Sequence, residues 1–436
     1  MKPYAKYRHS GVEWLGDVPE HWPPIRLRYR ARITPSRSEL NLVPGTLEVS
    51  FVPMESVHEY GGLTLDQTRP LAEVATGYTY FRDGDVLTAK ITPCFENGKG
   101  SIAKDLVNGI GFGTTELHVL RPCPDLDRRF LFYVTISHAF RNLGAAEMYG
   151  AGGQKRVPED FIRDFRQPIP SVDEQRAIAA FLDRETARID ALIEKKRRQI
   201  ELLQEKRSAL ISHAVTKGLD PKAKMKDSGI EWLGQIPAHW EVWKAAHMLR
   251  LYGGHAPESV DIAAEGTCYF KVDDLNQHDG EQGLLLRSSA LTVMPSRHED
   301  ALLPPMILIP KRGAAIATNK VRIATDACLF DSNIMGIQIK CKCRVEYVAY
   351  TLLARGLWDI ADVSTIPQIN NKHISPLKLP VPPLDEQRAI VDYIESEVEK
   401  IDTLAERIMW SSDKLCEFRT ALISAAVTGK IDVRGN

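Results

Sequence analysis

Apolar residues recur every seventh position near the end of this 436-residue chain, at Ile394, Ile401, Ile408, Leu415 and Leu422. The sequence around them runs without Gly or Pro from Leu384 to Thr428, and a second such stretch runs from Ser171 to Lys217. There Leu182, Ile189, Leu203 and Leu210 keep the same register, Lys196 interrupts it, and Ile193, Ile200 and Ala214 form a second stripe. This is the pattern of a heptad seam, and it predicts two helices of about 45 residues, roughly 65 Å long at 1.5 Å per residue. The first follows Pro168 and Pro170. Asp173 and Asp385 are the expected N-caps, and Gly218 and Gly429 stand where each helix end calls for a left-handed residue. So narrow a seam needs a partner, and each helix is the natural partner of the other in an antiparallel coiled coil. A purely structural coiled coil has the same pattern.

Between the helical stretches, residues 23–166 and 241–378 change period. Short β-like runs are predicted at Leu47–Phe51, Asp85–Ile91 and Glu116–Leu120, and again at Met306–Ile309 and Ile334–Ile339. Helical, aromatic-rich stretches are predicted late in each segment, at Arg129–Leu143 and Val345–Ile360. Each segment reads as a compact mixed domain.

The chain is also written twice. Ser10-Gly11-Val12-Glu13-Trp14-Leu15-Gly16-Asp17-Val18-Pro19-Glu20-His21-Trp22 returns as Ser228-Gly229-Ile230-Glu231-Trp232-Leu233-Gly234-Gln235-Ile236-Pro237-Ala238-His239-Trp240. Pro168-Ile169-Pro170-Ser171-Val172-Asp173-Glu174-Gln175-Arg176-Ala177-Ile178 returns as Pro380-Val381-Pro382-Pro383-Leu384-Asp385-Glu386-Gln387-Arg388-Ala389-Ile390. Ala209-Leu210-Ile211-Ser212-His213-Ala214-Val215-Thr216 matches Ala421-Leu422-Ile423-Ser424-Ala425-Ala426-Val427-Thr428, while the segments between barely resemble each other. Duplication with drift accounts for the repeat; a constant frame holding two independent readers accounts for the divergence of the middles as well. The expected layout is a lead-in over 1–22, one mixed domain over 23–166, a central helical spacer over 167–220, a repeated lead-in over 221–240, a second mixed domain over 241–378 and a distal helical spacer over 379–436. The expected fold class is α+β, with two globular mixed α/β domains joined by two long antiparallel coiled-coil helices in pseudo-two-fold arrangement.

Composition changes this picture little. A net charge of −1 neither supports nor excludes nucleic acid, since binding depends on where cations cluster. Seven scattered cysteines make no disulfide framework, and the close pair Cys341 and Cys343 has no second pair at zinc-ligand spacing. The start lacks the apolar core of a signal peptide and no apolar run is long enough to cross a bilayer, so the expectation is a soluble, cytoplasmic protein. The paired Trp14/Trp22 and Trp232/Trp240 are either stacking platforms or core anchors, and the anchor reading is preferred. DNA-facing candidates are the polar and basic loops: Lys90, Asn97, Lys99 and the stretch Gly152-Gly153-Gln154-Lys155-Arg156, then Lys311, Arg312, Asn319, Lys320, Gln368, Asn370, Asn371 and Lys372. Arg and Lys suit guanine edges, and Asn and Gln suit adenine, although each such residue is equally at home on a solvated surface. No phosphate loop, methyltransferase signature, nuclease carboxylate cluster or metal site is recognisable. Gly109-Ile110-Gly111-Phe112-Gly113 lacks the dinucleotide-binding context and reads as a turn.

The two lead-ins, the two Asp-Glu-Gln-Arg-Ala-Ile segments and the two helix ends together resemble the specificity subunits of type I restriction–modification enzymes, over essentially the whole chain. The resemblance implies two target-recognition domains, each reading half of a bipartite site in double-stranded DNA. It implies no catalysis in this chain. Two modification (methyltransferase) subunits would use S-adenosylmethionine, and restriction subunits would use ATP and Mg2+. The competing readings are a tandem-domain scaffold that binds proteins across a coiled-coil spacer, and an autonomous enzyme with an unrecognised site.

Overall fold

The computed structural model describes residues 2–150, 153–254, 262–276, 284, 292–293, 302–362 and 366–434. The chain divides into two compact units, one of Met1–Lys195 with Ser411–Asn436 and the other of Lys196–Trp410. Two continuous helices, the central helix Val172–Lys217 and the distal helix Leu384–Val427, each contribute one part to either unit.

In the first unit an antiparallel sheet has the order Ala31–Ile33, Leu117–Pro122, Val86–Ala89, Gly100–Ile102. A second sheet has the order Thr68–Pro70, Glu48–Val52, Ile110–Gly113, Thr79–Arg82, with a parallel pair at its centre. The predicted strands are present with shifted ends. Asp85 is not in its strand because its carboxylate accepts the Arg82 N–H and holds Arg121. Past the strand the Lys90 N–H still donates to Glu116 O, while its carbonyl accepts the Val157 N–H and Ile91 bridges Arg156. The glycine run expected as a turn is instead the strand Ile110–Gly113: a Cβ on Gly111 would lie 2.2 Å from the Phe81 ring, so the glycine makes room for that side chain. The helical stretch Arg129–Leu143 is two helices, Arg128–Thr135 and His138–Ala146. Ser137 separates them, because its hydroxyl accepts the Phe140 N–H and starts the second helix afresh.

The second unit repeats this plan with different residues. Its antiparallel sheet has the order Leu249–Gly253, Ile334–Ile339, Met306–Pro310, Arg322–Ala324. Its other sheet pairs Ile262–Phe270 in parallel with Cys328–Phe330 and antiparallel with Thr292–Val293. The late helix is shorter than predicted, Val345–Arg355, because Gly356 turns out of it at φ +70°. Lead-in hairpins Tyr7–His9/Asp17–Pro19 and Met225–Asp227/Gln235–Pro237 share one register.

Both long helices begin one residue earlier than their expected caps. Ser171, whose hydroxyl accepts the Glu174 N–H, precedes the central helix, and Pro383 precedes the distal one. Asp173 and Asp385 therefore sit inside the first turn, where a carboxylate still favours the helix dipole. Within each unit the helices run antiparallel. In the first, Gln167 just before the central helix donates to Val427 O at the end of the distal one, and Asp190 pairs with Arg419 further along both. In the second, Tyr347 Oη bonds both Val215 O and Pro380 O, and Arg207 lies 3.5 Å from Asp402.

Seam residues Leu182, Ile189, Ile394, Ile401 and Leu422 are buried. Ile193, Ile200, Leu203, Leu210, Ile408 and Leu415 are half-buried. The heptad pattern gave no sign of Arg207, which is 5% exposed on the same face. Burial pushes its guanidinium down and the Asp402 carboxyl up from their ordinary values. A buried pair of this kind adds little net stability, but a slipped register would strand a charge.

Candidate nucleic-acid interface

The repeated motifs are consumed inside the fold. Trp22 and Trp240 are fully buried, so neither is available to stack on a base. Trp14 is half-buried and stacks on Phe165 at 5.1 Å, and Trp232 is half-buried beneath Arg355. Glu386 receives the Trp240 indole N–H at 2.8 Å and lies 2.6 Å from His239 Nε2; Glu174 lies 3.1 Å from His21 Nε2. Gln175 Oε1 accepts the Asp127 N–H at the head of Arg128–Thr135, and its amide donates to Asp125 O and Pro170 O. Gln387 repeats this, accepting the Arg344 N–H at the head of Val345–Arg355 and donating to Pro382 O. The Asp-Glu-Gln-Arg segment is thus a clamp between lead-in, mixed domain and helix. Gly429 and Gly218 complete it at φ +73° and +74°, where a Cβ would stand 2.5 Å from Pro19 and 3.1 Å from Trp240 respectively.

The candidate contact residues lie in the mixed domains, and both domains build the same local structure around them. In the first, Lys90 follows the strand Val86–Ala89; its N–H donates to Glu116 O, and the Val157 N–H donates to Lys90 O. The Thr92 N–H donates to Lys155 O, and Ile91 bridges Arg156. In the second, Lys311 follows Met306–Pro310; its N–H donates to Asn333 O, and the Ile369 N–H donates to Lys311 O. The Gly313 N–H donates to Pro367 O, and Arg312 bridges Gln368. Lys90 and Lys311 are equivalent, as are Arg156 and Gln368, and Glu116 and Asn333. Each lysine opens a loop that ends with another, Lys99 or Lys320, preceded by a left-handed residue, Gly98 or Asn319.

The structure thus gathers Lys90, Lys155 and Arg156, with Gln154 adjoining, and separately Lys311, Arg312 and Gln368. Gln154, Lys155 and Arg312 are exposed, while Lys90, Arg156, Lys311 and Gln368 are half-buried. Asn97 is exposed on the loop. Lys99 turns inward to donate to Met54 O, and Asn319 donates to Leu353 O. Burial beside Arg322 lowers the Lys320 ammonium from its usual value. Asn370 caps the short helix Asn371–Ile374, and exposed Lys372 pairs with Asp362 at 2.8 Å. Gly152 lies outside the described residues.

Glu116 and Asn333 escaped notice in the sequence because each meets its partner only through pairing over long chain separations. Glu116 accepts from Arg156 Nε at 2.9 Å and Nη2 at 2.9 Å, and these bonds hold its carboxyl below the usual range. Beneath it, buried His118 Nε2 lies 2.9 Å from Val157 O, and burial lowers its imidazole below the ordinary value. Among the described residues no group of three His, Cys, Asp or Glu side chains is placed to hold a metal, and no helix is long and apolar enough to cross a membrane.

The family model described as "Type I restriction modification DNA specificity domain" matches residues 72–202 and 240–409, more than half of the chain. The EcoEI type I restriction enzyme specificity subunit of Escherichia coli is 40% identical over 164 residues, 37% of this chain and 27% of that protein. A chain solved in a study of complex assembly and conformational transition of the type I R-M system superposes with TM-score 0.77 at 18% identity, covering 95% of this chain and 99% of that one. The HsdS subunit of Thermoanaerobacter tengcongensis gives 0.55 at 17% identity, covering 95% and 98%. These two similarities concern the fold.

Proposed function

Because the chain belongs to the type I restriction modification DNA specificity domain family, we propose that it is the non-catalytic specificity subunit of a type I restriction–modification complex. Its mixed domains, 23–166 and 241–378, each read one half of a bipartite site in double-stranded DNA. The observation that carries this reading is the recurrence of one lysine-headed backbone arrangement in two domains whose sequences barely agree, at Lys90 and Lys311. A shared scaffold with different side chains is what two readers of different half-sites require. The helices act as the ruler for the unread gap, as spacing follows geometry in other two-site DNA binders. Methyl transfer from S-adenosylmethionine belongs to two modification subunits, and ATP- and Mg2+-dependent cleavage to restriction subunits.

The test is co-expression with the cognate modification subunit in a host free of adenine methylation, followed by genome-wide mapping of methyladenine. A two-part motif with a fixed gap is expected. A stable complex that marks no motif overturns this reading in favour of a protein-binding scaffold. Deleting one heptad from the central helix is expected to change the gap or abolish methylation without changing either half-site; altered half-site letters at an unaltered gap overturn the ruler.

A further inference from the structure

The equivalence of the two loop sites supports a division of labour among the candidate contacts. We propose that Arg156 and Gln368, at one and the same structural position, are specificity-determining residues, Arg156 for a guanine and Gln368 for an adenine, while the shared Lys90 and Lys311 hold phosphate. This rests on the DNA-reading function proposed above and deepens it.

The side-chain bonding fits those two bases. Arg156 has five N–H donors. Nε and one N–H of Nη2 are held by Glu116, and one N–H of Nη1 by Gln154 O. One N–H on each terminal nitrogen remains, the paired donors that guanine O6 and N7 accept. Glu116 fixes the fork, so little freedom is lost on contact. At the second site Asn333 replaces Glu116 and no carboxylate is needed, because Gln368 is neutral. The Gln368 amide donates to Asn370 Oδ1 at 3.2 Å, which sets its plane. Its other N–H and its carbonyl oxygen form the donor–acceptor pair that matches adenine N7 and N6. The lysines do not differ between the sites, so they carry no sequence information; a lysine whose main chain is held by the same backbone bonds in both domains suits the sequence-independent part of DNA.

The test uses the full chain in its complex with the modification subunits, comparing Arg156→Gln, Gln368→Arg, Lys90→Ala and Lys311→Ala by methyladenine mapping and by salt-dependent DNA binding. Arg156→Gln is expected to weaken a guanine preference at one letter of one half-site, roughly tenfold or more, and leave the other half-site intact. Gln368→Arg is expected to replace an adenine preference in the other half-site. Each lysine variant is expected to keep both half-sites and lower the salt slope of binding by about one. A wild-type bipartite motif that neither Arg156→Gln nor Gln368→Arg alters overturns this proposal and leaves the function standing. So does a letter change caused by a lysine variant, or loss of methylation in both reader variants with no new letter. If Arg156→Gln alone abolishes methylation, Gln368→Arg decides, since it adds a group and disturbs no ion pair. Absence of any wild-type motif overturns the function itself, and this proposal with it.

Discussion

The two mixed domains share a strand order, a parallel pair and a lysine-headed loop, yet their loop sites are built from opposite chemistry. The first is charged: Arg156 is bound by Glu116. The second is neutral at the same positions, with Gln368, Asn333 and Asn370. The backbone bonds do not distinguish these states, since they run from main chain to main chain. The architecture therefore constrains where a contact residue stands and leaves open what it is.

The largest expected effect tests how alike the two joints are. Gly429→Ala adds a left-handed strain of about 1 kcal/mol or more and drives a Cβ to 2.5 Å from the rigid Pro19 ring, overlap that costs about 1–3 kcal/mol. Gly218→Ala incurs the same strain but meets Trp240 at only 3.1 Å. Thermal unfolding should show Gly429→Ala as the more destabilising, and equal losses would mean that strain alone governs both positions.

Next, Gln175→Leu leaves the half-buried Asp127 N–H without its partner and should destabilise the first unit by about 1 kcal/mol. Hydrogen exchange should quicken at Arg128–Thr135 and stay unchanged at Val345–Arg355. Equal exchange in both helices would contradict the clamp.

The smallest effect is on pH. The Glu116 carboxyl is held low in the folded state, so its contribution is present above the ordinary carboxylate pKa and lost as pH falls through its lower folded value. The His118 imidazole is likewise depressed: its contribution is complete above about 6.5 and lost as pH falls through the folded value. The second site has Asn333 where Glu116 stands. Amide exchange at Thr92 and Val157 should therefore rise with acid beyond the intrinsic pH trend, and the rise at Gly313 and Ile369, near the exposed Asp362 whose carboxyl Lys372 also holds low, should be smaller. Glu116→Gln should remove part of the difference.

Much of this was legible in the sequence, and what was not had a physical reason. The long helices announced themselves through heptads and through the lack of Gly and Pro, because their periodicity is local. Their caps were misplaced by a residue or two, since Ser171 and Asp173 both suit a helix start and only packing selects between them. Arg207 was invisible because a charge on the seam is legible only when Asp402 is seen across from it. The break at Ser137 was lost within an apolar run, Phe130 to Phe140, that reads as one helix. The equivalence of Lys90 with Lys311 was hidden because Glu116 and Asn333 meet them only through long-range pairing, although each is followed at the same spacing by a second lysine, Lys99 or Lys320. Of the candidate contacts, the residue types and loops were readable, but not the distinction between Lys99, which turns inward, and Lys90.

The clamp at Gln175 and Gln387 has a consequence for how such chains change over generations. Each glutamine grips its domain chiefly through main-chain groups, the Asp127 N–H and Asp125 O in one case and the Arg344 N–H in the other, where the amide also meets Cys343 Sγ at 3.7 Å. Every amino acid except proline offers an N–H, and all offer a carbonyl. At these main-chain bonds a foreign domain would need only a helix starting in the right place, whereas side-chain contacts such as that of Tyr133 with Asp183 on the central helix would have to be matched anew.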